Sequence, residues 1–453
     1  MTPKKRSKFS SKIGFVLAAA GSAVGLGNIW RFPYLAAEYG GGTFLLVYLI
    51  LAVTFGFAMM ITEIALGRKT RRSAIEAYPM LDGRFGFLGI LTTLVPVLIL
   101  PYYSVIGGWV IKYFAVFLTG QGQAAAADNF FSGFTGETAQ PLVWFLIFIL
   151  VTSVVVMLGV EKGIEKVSMV LMPVLVILSV VIALYAVTRP GALAGVVYYL
   201  KPDLSKLTGK TVLAALGQLF YSMSLAMGIM ITYGSYMKRS ANLEKSVRQI
   251  EIFDTAIAFL AGLMIVPAVF TFSGGDESAM SAGPGLMFIT LPKVFESMPG
   301  GSLVGALFFL LVLFAALTSS ISLMETIVSI LQDKLKWNRQ LSTVIVTLFC
   351  IAVGIPSSLG FGIWSGVQPL GMSILDFFDF TSNSVLMPVV AFCTCIFVGF
   401  VIKPQAVIEE VEQDGVSFKA KRFYAVLIKY LAPIGIIAIL ISSIAAGLGL
   451  FTW

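Results

Sequence analysis

From Leu88 through Leu100, Tyr102 and Tyr103 to Val110 the chain carries no charged side chain. A run of this length can cross the hydrocarbon core of a bilayer as a helix, which takes about 20 residues. Comparable apolar runs recur along the sequence. They are continuous, whereas the strands of a membrane β-barrel alternate over about 10 residues. A helix satisfies its backbone polar groups from within, so helices are the expected solution in lipid. Composition agrees. Of 453 residues, 58% are hydrophobic and 12% charged, against about 25% charged in ordinary globular domains. The predicted class is an all-α integral membrane protein.

Hydropathy divides the chain into eleven spans, at about 12–37, 42–67, 87–117, 141–159, 165–187, 211–237, 245–272, 301–332, 339–355, 374–402 and 422–449. The net charge of +8 does not point to nucleic acid, because the cations sit in short blocks between spans. Connections two–three (Arg68, Lys69, Arg71, Arg72), six–seven (Lys238, Arg239, Lys245, Arg248), eight–nine (Lys334, Lys336, Arg339) and ten–eleven (Lys403, Lys419, Lys421, Arg422) are basic. Connections one–two, three–four and nine–ten contain no Lys or Arg. Lys4, Lys5, Arg6 and Lys8 place the amino terminus on the basic side. The positive-inside rule then makes that terminus cytoplasmic and Trp453 external. Connection five–six (Arg189, Lys201, Lys206, Lys210) is a partial exception, as long loops are.

Other residue types narrow the function. There is no histidine, which removes the commonest proton relay and metal ligand. Cys350, Cys393 and Cys395 lie in apolar spans and read as buried thiols. The basic segment Met1–Lys12 leads straight into a long helix, so no cleavable signal peptide is expected. No Asn-x-Ser/Thr sequon is present, so nothing points to a glycosylated surface protein. A membrane hydrolase would need a nucleophile beside a base or metal cluster, and the sequence offers neither.

Two spans are interrupted. The first contains Ala20-Gly21-Ser22-Ala23-Val24-Gly25-Leu26-Gly27-Asn28, and the sixth contains Ser222-Met223-Ser224-Leu225-Ala226-Met227-Gly228. If ten helices form two repeats of five, these breaks are equivalent, and equivalent breaks point to a transporter binding site. Taken alone, the glycines could equally serve close helix packing.

The stretch Gly21-Ser-Ala-Val-Gly-Leu-Gly-Asn-Ile-Trp-Arg-Phe-Pro33 resembles the first-helix signature of the neurotransmitter:sodium symporter family. Further similarities follow in order: Glu38-Tyr-Gly-Gly-Gly42, Glu63-Ile-Ala-Leu-Gly-Arg68, Tyr102-Tyr103 with Trp109, Gly217-Gln-Leu-Phe-Tyr-Ser-Met-Ser-Leu225, Leu317-Thr-Ser-Ser-Ile321 and Asp376-Phe-Phe-Asp379. They span nearly the whole chain. The resemblance implies a LeuT-like fold with discontinuous helices 1 and 6 and eleven transmembrane helices, as in many bacterial members. The implied layout is a single transporter domain over 1–453, with inverted repeats at about 12–187 and 211–402 and an extra helix at about 422–449. A bacterial inner membrane fits this type.

The resemblance also implies a site. Amide groups of Leu26 and Gly27 would hold a substrate carboxylate, with the Tyr103 hydroxyl beside them, as suits a helix amino terminus. Carbonyls of Ala23, Tyr221 and Ser222 would accept from an ammonium. Ile99, Tyr221, Ala226, Met227, Ser319 and Leu323 would line the side-chain pocket, with Gly25 and Ser224 in the same shell. Two sodium ions are implied, as hard cations that take oxygen ligands. The first would use Ala23, Asn28, Ser222 and Asp254 together with the substrate carboxylate. The second would use Gly21, Val24, Ala315, Thr318 and Ser319. Read without the resemblance, the Thr318-Ser319-Ser320 hydroxyls would simply bond back along their own helix. Arg31 with Asp379 would form an outer gate and Arg6 with Asp333 an inner one, although Arg6 also fits a plain orientation signal. Tyr221 would be a lid, Tyr236 an inner brace, and Glu63 a support for the unwound backbone.

Asp254 departs from the prototype, which has Asn there and a Glu one turn later. Chloride-dependent relatives keep the Asn and have Ser at the later position, where this chain has Ala258. A chloride site would draw on Tyr48, Gln218 and Ser222, but Ala258 offers no donor. Transport independent of chloride is therefore expected. Monoamine carriers have Asp where Gly25 stands, so a substrate with its own carboxylate is expected. The apolar lining suggests a neutral, hydrophobic α-amino acid, with a slight lean toward aliphatic because Ala226 adds a methyl. A carrier of a GABA-like solute or osmolyte, and a substrate-sensing receptor on the same scaffold, are the competing readings.

Overall fold

A computed structural model describes residues 7–274, 285–415 and 417–447. The described residues are helical throughout, with no strand among them. Nine continuous helices are long and apolar enough to cross a membrane: Gly42–Thr70, Gly83–Leu118, Ala139–Met157, Val160–Val187, Leu243–Phe272, Gly301–Lys334, Arg339–Leu359, Ile374–Val401 and Lys421–Ala445. They correspond to expected spans two to five and seven to eleven. Span one is the bent pair Lys12–Ala23 and Gly27–Glu38, whose halves meet at 53°. Span six is Gly209–Ser222 followed by Ile229–Tyr236. Both interruptions thus fall where the sequence placed them.

Local chemistry explains the break points. Ser11 caps the first half of span one by accepting from the Gly14 amide at 2.9 Å. That half stops at Val24, which is extended at φ −72° and ψ 103°. In span six Thr208 and Thr211 form a reciprocal capping box at the start. After Ser222 the chain turns left-handed three times, at Ser224 (φ 52°), Ala226 (φ 61°) and Gly228 (φ 73°). Left-handed non-glycine residues cost roughly 1–3 kcal/mol each and persist where the surroundings over-determine them.

The surroundings do so here. Every residue from Ala18 to Trp30 and from Ser222 to Met237 is buried. Irregular backbone at membrane depth is tolerated under that condition. Spans four and five instead turn apolar side chains such as Val154, Val170 and Ile177 outward, where lipid can cover them. The core therefore lies around spans one and six, with spans three and eight packed together beside it.

The sequence reading missed structure in the connections. Ala74–Leu81, Ala192–Leu200, Leu291–Glu296 and Gln405–Val411 are short helices. Ala192–Leu200 packs on span seven, and the Tyr199 hydroxyl donates to the Phe259 carbonyl at 3.1 Å. The Lys and Arg residues of connection five–six thus flank a folded element. Cys350 and Cys395 are buried and Cys393 half-buried, all as free thiols.

Span two and the second half of span six meet backbone to backbone. A Cβ on Gly67 would lie 1.8 Å from the Ile231 carbonyl oxygen, and one on Gly234 would lie 2.3 Å from the Ile64 carbonyl oxygen. Gly217 has open space at its Cβ position. Overpacking of a filled interior costs about 1–3 kcal/mol. Gly67→Ala should therefore lower the melting temperature of the detergent-purified protein clearly, while Gly217→Ala leaves it within error. Equal melting of the two variants would contradict this packing.

Candidate ion and substrate site

The two breaks bring backbone and side-chain oxygens together. Asp254, on span seven and fully buried, faces them. Its Oδ1 accepts from Asn28 Nδ2 at 2.8 Å and from the Ser222 hydroxyl at 2.9 Å. Its Oδ2 lies 3.3 Å from the Tyr48 hydroxyl. Asn28 Oδ1 in turn accepts from the Gly25 amide at 3.0 Å. Burying a carboxylate among neutral groups is costly unless hydrogen bonds or a cation compensate. This cluster supplies neutral donors alone, with no Lys or Arg in hydrogen-bond contact with Asp254.

A second convergence lies between spans one and eight. The Ser319 hydroxyl stands 3.4 Å from the Gly21 carbonyl, 3.1 Å from that of Ser22 and 3.3 Å from that of Val24. Thr318 bonds back to the Phe314 and Ala315 carbonyls at 3.0 and 3.1 Å. Thr318 thus bonds back along its own helix, as the hydroxyl run read alone predicts, while Ser319 reaches across to span one. The carbonyl, carboxylate and hydroxyl oxygens of both clusters suit a hard cation, while Asn28 turns its Nδ2 toward Asp254 and Ser222 and its Oδ1 toward the Gly25 amide.

Between the clusters is a cavity of about 30 Å³. It is lined by Ala23, Gly25, Leu26, Gly27, Ile99, Tyr103, Tyr221, Ser222, Ser224, Met227, Ser319 and Leu323, as expected, and by Ser22 and Ile229, which were not anticipated. No lining side chain is charged. The Leu26 amide points to the Tyr103 hydroxyl at 3.5 Å. A Cβ on Gly25 would sit 2.7 Å from Ser319 Oγ and 3.2 Å from the Tyr103 hydroxyl. Any side chain at 25 would therefore fill the cavity.

One expected lining residue is displaced. Ala226 does not face the cavity. Its amide donates to Glu63 Oε1 at 2.6 Å, in the left-handed turn of span six. The methyl of Ala226 therefore gives no ground for an aliphatic preference. Glu63, expected beneath the unwound backbone, makes this contact with span six. Gln218 contributes likewise, donating to the Gly27 carbonyl at 2.9 Å.

The outer pair is also arranged differently from expectation. Arg31 and Asp379 both line a vestibule of about 250 Å³, and no direct ion pair joins them. The Arg31 guanidinium stands 5.2 Å from the centre of the Tyr221 ring. Asp379 accepts from the Tyr102 hydroxyl at 3.1 Å and from Asn383 at 2.7 Å. Tyr221 lines both vestibule and cavity and so forms the wall between them.

The basic face is closed. Asp333 accepts from the Ser73 amide and hydroxyl, both at 2.7 Å, and lies 3.7 Å from Arg72. Arg6 lies outside the described residues. Phe9 packs edge-on against Phe15, Tyr233 and Tyr236. Glu165 accepts from the amides and hydroxyls of Ser10 and Ser11 at 2.7–3.1 Å. Tyr236 is the brace expected, donating to Glu325 at 2.6 Å. Its partner was missed: Glu325, fully buried in span eight, pairs with Arg339 at 2.5 and 2.8 Å. The signal was available, since an ionisable residue inside a membrane span is functional by default.

Leaving a buried donor unpaired costs about 1–3 kcal/mol. Glu63→Ala should therefore lower thermal stability by about that amount, whereas Glu63→Gln, which keeps an acceptor for the Ala226 amide, should stay near the parent. Equal losses in both variants would refute this role for Glu63.

The geometry accords with three comparisons. The chain matches the model of the Sodium:neurotransmitter symporter family over residues 6–132 and 131–448. It is 36% identical over 455 residues to an uncharacterised sodium-dependent transporter, YhdH, of Bacillus subtilis (strain 168), covering 98% of this chain and 99% of that one. An uncharacterised sodium-dependent transporter of Methanocaldococcus jannaschii is 32% identical over 408 residues, covering 86% of this chain and 81% of that one. The crystal structure of MhsT in complex with L-phenylalanine is similar with a TM-score of 0.87 at 36% identity, covering 97% of this chain and 100% of that one.

Proposed function

This chain belongs to the sodium:neurotransmitter symporter family and is a sodium-dependent, multi-pass membrane transporter with a LeuT-like fold, not an enzyme; from that premise we propose that it carries a neutral, hydrophobic α-amino acid into the cell together with two sodium ions and without chloride. The observation that carries this reading is the uncharged cavity walled by the unwound backbone of spans one and six on one side and by Ile99, Met227, Ile229 and Leu323 on the other. The backbone half suits the charged groups of an amino acid, and the apolar half suits its side chain. That MhsT was crystallised with L-phenylalanine supports the same class.

The roles follow from local chemistry. Amides of Leu26 and Gly27, with the Tyr103 hydroxyl, hold the substrate carboxylate. Carbonyls of Ala23, Tyr221 and Ser222 accept from its ammonium. Gly25 keeps the cavity open for that end of the molecule. Sodium at the first position is held by Ala23, Asn28, Ser222, Asp254 and the substrate carboxylate. The shared carboxylate makes coupling reciprocal, since each ligand completes the other's site. Sodium at the second position is held by Gly21, Val24, Ala315, Thr318 and Ser319. Chloride is unnecessary because Asp254 already takes the hydrogen bonds of Tyr48 and Ser222 that an anion would need.

The cycle is alternating access between the two repeats, at about 12–187 and 211–402. A volume of about 30 Å³ has room for about two water molecules, each needing about 10–15 Å³ of such space, so the cavity must widen to admit an amino acid. Tyr221 is the wall that swings. Sodium and substrate enter from the vestibule, Tyr221 and the Arg31–Asp379 pair close over them, and the amino-terminal half of span one then leaves Asp333, Glu165 and Tyr236 to open the cytoplasmic route. The amino terminus lies in the cytoplasm, the side of the basic loops.

Two measurements in proteoliposomes test this. Under an inward sodium gradient, tracer uptake should be unchanged when gluconate replaces chloride; a loss of uptake would overturn chloride independence. Asn28→Ala and Thr318→Ala should each abolish sodium-driven uptake; Thr318→Ala should melt like the parent, whereas Asn28→Ala, which unpairs the buried Gly25 amide, should also melt lower. Normal uptake in both would refute the ion sites. Competition among all twenty amino acids in the same assay identifies the substrate, and uptake of GABA alone would overturn the α-amino-acid reading.

A further inference from the structure

The basic face carries a second built feature, away from the transport path. A groove of about 490 Å³ opens at the amino-terminal end of span seven, between Asn242, Lys245, Arg248 and Ile252 on one wall and Ser417 and Lys419 on the other. The two walls come from connections six–seven and ten–eleven, far apart in sequence. Three cations therefore meet at one place, with Glu244 as the acid among the lining residues.

Aromatic packing fixes this meeting. The Arg248 guanidinium lies over the Phe57 ring, 4.2 Å from its centre, and 3.7 Å from Glu244. Phe57 contacts Phe418 at a centroid distance of 6.3 Å, and Phe418 is fully buried. Phe418 thus anchors Ser417 and Lys419 on either side of it, and the same aromatic pair seats Arg248. The Asn242 side chain caps span seven by accepting from the Lys245 amide at 2.8 Å, which points the positive end of a long helix into the groove. Ile252, one turn beyond Arg248, is 65% exposed.

We infer that this groove binds the headgroup of an anionic phospholipid, with the phosphate against Lys245, Arg248 and Lys419 and the acyl chain along Ile252. Charge complementarity selects a headgroup of net negative charge over a zwitterionic one, because cations outnumber the acid. The exposed isoleucine directly beside the cations selects a lipid over free phosphate, which has no use for an apolar wall. A groove on the cytoplasmic rim also faces the leaflet where anionic lipid attracts basic segments. The bound lipid ties the start of span seven, which carries Asp254, to the start of span eleven.

Native mass spectrometry of the full-length transporter, incubated with equal amounts of phosphatidylglycerol and phosphatidylcholine, tests the site. The parent should retain phosphatidylglycerol preferentially. K245Q/R248Q/K419Q should weaken that retention about a hundredfold, given the attraction of each cation near an anionic surface. K245R/K419R, which keeps the charge, should retain it. The control K162Q/K166Q removes two exposed cations from the start of span five and should change nothing. Millimolar glycerol phosphate should fail to displace the lipid. Equal retention of both lipids by the parent, full retention by the triple variant, an equal loss in the control, or displacement by glycerol phosphate would each overturn the inference.

Discussion

Everything at the centre of this molecule follows from the need to satisfy backbone groups that two helices have released. Between Ala23 and Gly27, and again between Ser222 and Ile229, the helical ladder is interrupted inside the membrane. Water is not there to compensate. The replacements are specific side chains: Asn28 for the Gly25 amide, Glu63 for the Ala226 amide, Gln218 for the Gly27 carbonyl, and Ser224 and Ser319 for the carbonyls of Gly21, Ser22 and Val24. Polar residues from spans one, two, six and eight share this task. Carbonyls that converge in this way suit a cation as well as a hydroxyl, so in the proposed mechanism the bracing of the break also builds the ion site.

Strain and charge sit at the same place. Ser224 and Ala226 adopt left-handed backbone that side chains disfavour, and the packing of Gly67 and Gly234 holds the second half of span six so closely that the turn cannot relax. Asp254 supplies negative charge among neutral donors, while Arg31 and Asp379 stay apart across the vestibule. The basic face is held by several separate contacts at Asp333, Glu165 and the Glu325–Arg339 pair. A structure closed on one side by many bonds and on the other by a single aromatic wall is poised to open toward the vestibule first.

How much of this the sequence revealed depends on the kind of signal. The spans were legible because hydropathy acts over about 20 residues, and the breaks were legible because glycine clusters interrupt it. Asp254, Glu63 and Ser319 were found from resemblance joined to the rarity of polar groups in lipid. Ala226 was misplaced because its role depends on a left-handed turn that leaves no mark in residue type. The ion pair of Glu325 and Arg339 was missed because Arg339 was taken for an orientation signal, and the spatial neighbour that recruits it is fourteen positions away. The short helices of the connections escaped because none has an apolar run long enough to stand out from a loop.

The cavity has two halves of different origin. One is backbone, presented by the same unwound segments whatever side chains surround them. The other is a cluster of apolar side chains: Ile99, Ile229 and Leu323 on helical turns, and Met227 from the interruption of span six. Under the proposed function, substitutions in the second half would alter the size of the cargo without disturbing the oxygens proposed to hold the ions. The scaffold thus separates what is carried from what drives it, and a lineage can change its diet one methylene at a time while its energy source stays fixed.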